Sequence, residues 1–299
     1  MADIIKIAVA GAPGSGKSTA LELIKTHYES MGITVFCMSD DHIPDIENER
    51  KDVLILCECS MSFSLQSVQK NSVVDLWNRY DACLFFETAD KDKTQQAQCL
   101  DCWVGHPHLR YIKCADKIED KVSLAVKEID CILNNVEHEI KYLIKYPDFE
   151  KLKKYKSCRV DIEQIYLLSD VGSHRIRRRS IANHDTYFET LKIRIKGDSC
   201  FEYENQITAE VYLKLKEKAD PKKHPIVKQR YCLLYDGQYF ELDVFDFWKD
   251  KALIELELSS ENQIVKLPPE IELIKDVSTD KHYKNNYLST IDWNKHEDS

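Results

Sequence analysis

A chain of 299 residues has room for about two domains with separate cores, and its 43% hydrophobic and 31% charged residues are those of a globular protein. No apolar run approaches the ~20 residues of a membrane-spanning helix, and a net charge of −9 argues against general or specific nucleic-acid binding. Eleven cysteines, an odd number, and a start at Met1-Ala2-Asp3 that leads directly into an apolar strand, predict reduced thiols and a soluble, cytoplasmic protein.

The first strand is expected over Ile5 to Val9, and an amphipathic helix over Ser18 to Met31. Between them Gly11, Ala12, Pro13, Gly14, Ser15, Gly16, Lys17, Ser18 and Thr19 fit G-x-x-x-x-G-K-[ST] at every fixed position, in the strand-to-helix context that a phosphate-binding loop requires. The glycines let consecutive N–H groups face phosphate oxygens, and the positive end of the helix points at the same anion. Lys17 supplies a point charge to the β- and γ-phosphates of ATP or GTP, and Ser18 offers a hydroxyl to Mg²⁺.

Thr34 to Met38 reads as the second strand. Val53 to Glu58 reads as a buried strand ending in a carboxylate, placed to hold the same metal opposite Ser18. Strands at Ala82 to Glu87 and Leu109 to Ile112, then a helix over Lys117 to Asn134, complete an α/β P-loop domain, a parallel sheet with flanking helices, over residues 1–135. Asp40 and Asp41 after the second strand would suit a small-molecule kinase that orients an acceptor hydroxyl; a solvated turn explains them equally well. Cys99-x2-Cys102-x3-His106-x-His108 has metal-ligand residue types, but its spacing is wrong for a two-plus-two zinc site and favours a structural loop.

From Val136 the period becomes two. Glu137, Glu139 and Lys141 alternate with apolar residues, and the pattern recurs at Arg175 and Arg177, Thr190, Lys192 and Arg194, Glu202 and Glu204, Lys228 and Arg230, Glu241 and Asp243, and Glu255 and Glu257. An antiparallel β-barrel of about eight strands over residues 136–299 would gather these charges in its lumen. Concentrated charge needs partners: the acids imply Mg²⁺ or Mn²⁺, and the bases imply a polyphosphate or phosphorylated small molecule. The basic run Arg175-Ile176-Arg177-Arg178-Arg179 finds its explanation there too.

Glu137-x-Glu139-x-Lys141 resembles the E-x-E-x-K signature of CYTH domains, the triphosphate tunnel metalloenzymes, and the later acid and base pairs appear in matching order. The upstream half, with its P-loop and Trp103-Val104-Gly105-His106-Pro107-His108-Leu109-Arg110, is similar to the NadR/Ttd14-type AAA domain that precedes a CYTH domain in one group of proteins. The resemblance implies an eight-stranded tunnel whose relatives hydrolyse inorganic or organic triphosphates or cyclise ATP. The Ttd14 relative implies GTP and phosphoinositide binding. Two departures stand out: only Ser39 to Asp52 separates the second strand from the strand ending at Glu58, and Cys57-Glu58-Cys59-Ser60 replaces the family's Cys-Asp-Arg-Gly.

The expectation is a metal-dependent triphosphate or nucleoside-triphosphate phosphohydrolase. Glu139, Glu255 and Glu257 would hold metal, with Glu137 and Asp243 in support, while Lys141, Arg175, Arg177, Lys192, Lys228 and Arg230 grip phosphate oxygens. The alternatives are a nucleotide-gated adaptor that captures a phosphoinositide membrane surface without turnover, peripheral at membranes, and a small-molecule kinase using Lys17, Glu58 and Asp40.

Overall fold

A computed structural model describes residues 4–39, 53–60, 64–66, 72–90, 93–134, 138–196, 199–259 and 262–293. The chain divides into two compact units, Met1–Leu133 and Asn134–Ser299.

In the first unit β1 (Ile4–Gly11), β2 (Thr34–Ser39), β3 (Val53–Glu58), β4 (Ala82–Phe86) and β5 (Leu109–Ile112) form a parallel sheet in the order β2-β3-β1-β4-β5. The central strands are apolar at nearly every position because a parallel sheet is covered on both faces. Helices α1 (Lys17–Ser30) and α4 (Ile118–Asn134) pack on one face, where Ile24, Tyr28, Ala125 and Ile129 are fully buried against Ile7, Leu54 and Leu84. The Tyr28 hydroxyl fixes the two helices together by donating to Asp130 at 2.8 Å and to the Val126 carbonyl at 3.1 Å. Two further helices, α2 (Val73–Trp77) and α3 (Thr94–Asp101), precede β4 and β5. Parallel register pairs Val9 with Glu58 and Gly11 with Phe86, which brings the ends of β3 and β4 alongside the loop that leaves β1.

The second unit is built on β6 (Glu139–Lys145), β7 (Ser157–Tyr166), β8 (Ser173–Ile181), β9 (His184–Lys196), β10 (Ser199–Ile207), β11 (Ile226–Tyr235), β12 (Gln238–Phe245), β13 (Lys251–Glu257) and β14 (Leu273–Asp276). Neighbouring strands run antiparallel in the order β10-β9-β8-β7-β11-β12-β13-β6-β14. Among the described residues the sheet thus has nine strands rather than the expected eight, and its pairing order has two ends, β10 and β14. The difference has a physical source. β7 carries Arg159, Asp161 and Glu163 on the face opposite the gathered charges, and β14 is four exposed residues, so neither adds an acid or base to those gathered charges.

Tight turns set the register. Asp236 and Gly237, both at positive φ, join β11 to β12 so that Tyr235 pairs with Gln238 and Arg230 falls opposite Asp243. Ala182 and Asn183 do the same between β8 and β9 and set Arg175 opposite Thr190. A slip of one residue in either hairpin would send these side chains to the other face. That other face is apolar over β11–β13, where Leu242, Ile254 and Leu256 pack under Phe149 and Leu152 of α5 (Phe149–Leu152).

The sheet is strongly curled. Lys141 on β6 is close enough to Tyr166 on β7 for its charge to act on that phenol, although four strand spacings separate them, about 19 Å in a flat sheet. At one end of the concave face Leu143, Ile226, Phe245 and Leu253 pack against Trp248, between β12 and β13, and against Val277, Tyr283, Leu288 and Trp293 from the C-terminal segment, forming an apolar floor beside the charges.

Candidate functional site: a glycine-rich loop and a charged concave face

In the first unit, α1 begins at Lys17 immediately after Gly16, whose φ of 82° lies in the left-handed region. A Cβ on Gly11, at φ 149°, would fall 2.6 Å from the Phe86 carbonyl oxygen and 2.8 Å from Ser15 Oγ. The Ser15 N–H turns back to the Ala12 carbonyl at 3.2 Å, while Pro13 and Gly14 form the exposed crest of the loop. Ser18 and Thr19 start the exposed side of the helix. Ser18 Oγ donates to Glu58 Oε1 at 2.6 Å, and Lys17 Nζ lies 3.9 Å from the same oxygen. The carboxylate at the end of β3 and the loop hydroxyl are thereby brought together as two hard oxygen donors. Asp40 and Asp41 lie outside the described residues.

On the concave face of the second unit the charges form two connected groups. In the first, Lys141 Nζ lies 3.0 Å from Glu139 and 2.8 Å from Glu255. Arg230 donates through Nε and Nη2 to the two oxygens of Asp243, each at 2.7 Å, reaches Glu255 at 3.2 Å and also bonds Glu241. Lys228 is hydrogen-bonded to Asp243, which is fully buried. Glu257 pairs in register with Glu139 at the end of β13. Exposure grades along the strands: the Glu139 side chain is 38% exposed, whereas Lys228 and Asp243 are 2% and 0%. The site therefore has a wet mouth and a dry interior.

The second group comes from β8, β9 and β10. Arg175 donates to Glu202 at 2.6 Å, Lys192 donates to the other oxygen of Glu202 at 2.6 Å, and Thr190 donates to Glu204 at 2.7 Å. Arg177 stands differently. Its nearest carboxylate is Glu204 at 3.7 Å, and its buried Nε has no hydrogen-bond partner among the described residues. Of Arg194, the last base in this alternation, the side chain is not described, and Glu137 lies outside the described residues.

The electrostatics follow from burial and neighbours. Burial disfavours the Lys141 ammonium, but Glu139 and Glu255 outweigh it and hold the group above its ordinary value. Lys228 is pushed down to about 8, first by burial and then by Arg230, against the opposing pull of Asp243. Glu255 is held well below the usual carboxylate range: burial opposes this, and Lys141, Lys228 and Arg230 overcome it. Arg177 is lowered by burial and by Arg175, Arg230 and Arg179 around it, with Glu204 only partly compensating. Arg177 is thus a buried cation that its carboxylate neighbour only partly compensates.

Among the described residues no three carboxylate, imidazole or thiolate groups converge closely enough to hold a metal by themselves. The donors are nonetheless of the right kind: Glu139 and Glu255 are hard oxygen ligands on adjacent strands. Mg²⁺ commonly binds one or two carboxylates and takes its remaining ligands from water and substrate phosphate, so these two fit a metal carried in with a polyphosphate.

Periodicity of charge missed four side chains. Gln164 and Tyr166 of β7 face Arg177 and Arg175 across the ladder, and the Gln164 amide donates to the Tyr166 hydroxyl at 2.7 Å. Both are buried and uncharged, so an alternation of acids and bases passes over them. Arg179, buried on the same face, was visible only as part of the basic run. Lys121, on α4, bonds two backbone carbonyls behind the phosphate loop.

His106 is buried, accepts the His108 N–H at Nδ1 at 3.0 Å, and directs Nε2 at the Tyr80 carbonyl at 3.3 Å. Backbone groups therefore occupy both ring nitrogens.

The chain is similar to an inorganic triphosphatase. That solved structure, the inorganic triphosphatase NE1496, is 32% identical over 52% of this chain and 95% of its own, with a TM-score of 0.36. The PH1819 protein from Pyrococcus horikoshii OT3 is 23% identical over 42% of this chain and 81% of its own, with a TM-score of 0.33. HpAC1 from Hippeastrum, described as having a dominant triphosphatase activity, is 16% identical over 41% and 80%, also at 0.33. No protein-family model and no curated protein matches the chain. No helix among the described residues is long and apolar enough to cross a membrane.

Proposed function

We propose that the second unit binds a triphosphate, inorganic or nucleoside, and hydrolyses it with Mg²⁺ or Mn²⁺, and that the phosphate loop of the first unit binds ATP or GTP. The observation that carries the first part is Arg177. It is a buried guanidinium surrounded by other cations, with its closest carboxylate at 3.7 Å, so a phosphate oxygen would supply the charge and acceptor it lacks. Arg175, Lys192 and Lys141 would then exchange part of their bonding to Glu202, Glu139 and Glu255 for phosphate oxygens. Arg230 is different: its donors are divided among Glu241, Asp243 and Glu255, so it orders the carboxylates instead of gripping substrate. Glu139 and Glu255, with Glu257 beside them, would hold the metal, which supplies charge neutralisation at the transferred phosphoryl group.

The phosphate loop adds a second, backbone-built site. Its Lys17 would meet the β- and γ-phosphates, and Ser18 and Glu58 would hold a magnesium ion. One observation favours a binding role without turnover in the second unit: Lys141 already bridges Glu139 and Glu255, and a ligand that displaced no carboxylate would leave that bridge intact. Phosphate release from tripolyphosphate, ATP and GTP in Mg²⁺ or Mn²⁺ separates the two. The hydrolase reading expects release that Glu255→Ala/Glu257→Ala abolishes; equal rates in both proteins would refute it.

A further inference from the structure

Behind the phosphate loop lies a charge that the loop pattern does not contain. Lys121, in the first turn of α4, is only 5% exposed, and its ammonium donates to the Ser15 carbonyl at 2.8 Å and to the Glu87 carbonyl at 2.7 Å. No carboxylate lies within ion-pair distance of it among the described residues. A buried ammonium held only by neutral carbonyls is costly unless an anion is nearby.

The two carbonyls matter because of where they lie. Glu87 directly follows β4, whose last residue, Phe86, bounds the space beside Gly11. Ser15 is inside the loop. In a planar trans peptide the C=O and the next N–H point in opposite directions. Drawing the Ser15 carbonyl back onto Lys121 therefore turns the Gly16 N–H forward, to the side on which the loop would hold phosphate. Ile118, one turn earlier on α4, comes within 3.1 Å of a Cβ placed on Gly16, so α4 supports this part of the loop directly.

We propose that Lys121 is a positioning residue for the phosphate loop: it fixes the Ser15–Gly16 peptide with its N–H toward a bound nucleoside triphosphate and offsets the phosphate charge from behind. The inference rests on the reading that the loop binds ATP or GTP.

Calorimetric titration of MgATP and MgGTP into the full chain, its Lys17→Ala, Lys121→Met and Lys121→Arg variants, tests it. Lys121→Met keeps the length and apolar stem of the side chain, so ligand-free melting is expected to be unchanged while nucleotide affinity falls by about tenfold or more. Lys121→Arg, which can still donate to both carbonyls, is expected within about threefold of the parent protein. Wild-type affinity in Lys121→Met alongside lost binding in Lys17→Ala would overturn the role of Lys121 and leave the loop reading standing. If Lys121→Met also melts earlier, Lys121→Arg decides: normal melting with affinity as weak as that of the Met variant would overturn the proposal. Failure of the parent protein to bind either nucleotide would overturn the loop reading itself.

Discussion

The glycine-rich loop of the first unit and the charged concave face of the second are made of different things. The loop is nine consecutive residues whose path is set by the backbone at Gly11 and Gly16. The concave face is made of side chains brought from β6 and from β8 through β13, and its order comes from ion pairs among them. The first kind of site is set by its backbone path and is intolerant of a single methyl group at Gly11. The second is sensitive to charge balance, because its buried ions, Arg177 apart, are counter-charges for one another.

The largest expected effect tests that balance. Asp243→Asn leaves Lys228 and Arg230 buried without their shared carboxylate, and breaking a buried pair in this way costs about 3–5 kcal/mol. Chemical denaturation should show the loss in the unfolding of the second unit; a loss below about 1 kcal/mol would mean the ion pairs do not organise the face.

Next is the backbone site. Gly11→Ala adds a Cβ that meets the Phe86 carbonyl and Ser15 Oγ, with a backbone penalty of about 1–3 kcal/mol. ATP and GTP binding should weaken while tripolyphosphate hydrolysis stays unchanged. Loss of both together would erase the distinction between the two sites.

The smallest effect is a pH dependence. Lys228, lowered to about 8, loses its proton in the folded protein before an unfolded lysine would. Its charge therefore costs stability below about pH 8, and that cost disappears as pH rises from about 8 toward the ordinary lysine value. Anion affinity runs the other way and should fall a few-fold between pH 7 and pH 9. Lys228→Arg, which keeps its charge, should flatten this decline; an unaltered decline would place its cause elsewhere.

The same contrast explains what the sequence disclosed. The shape of the loop was legible because its residues are contiguous and its turn is encoded in fixed glycine spacing, and the position of Glu58 could be read because it ends an apolar strand beside β1. The concave face was legible wherever a strand alternates charged with apolar residues, as at Glu139 and Lys141 or Glu241 and Asp243. β7 was not, because its charges point away from the site and the residues it contributes are Gln164 and Tyr166. Lys121 was hidden for a related reason: a lysine beside the apolar stripe of an amphipathic helix reads as part of a solvated face, and only tertiary structure places the Ser15 carbonyl over it.

Titration of tripolyphosphate into Lys17→Ala and Arg177→Ala variants of the full chain tests most directly whether the concave face is a triphosphate site. The account predicts one-to-one binding that survives Lys17→Ala and is weakened at least tenfold by Arg177→Ala. Binding that disappears with Lys17→Ala and persists in Arg177→Ala would contradict it.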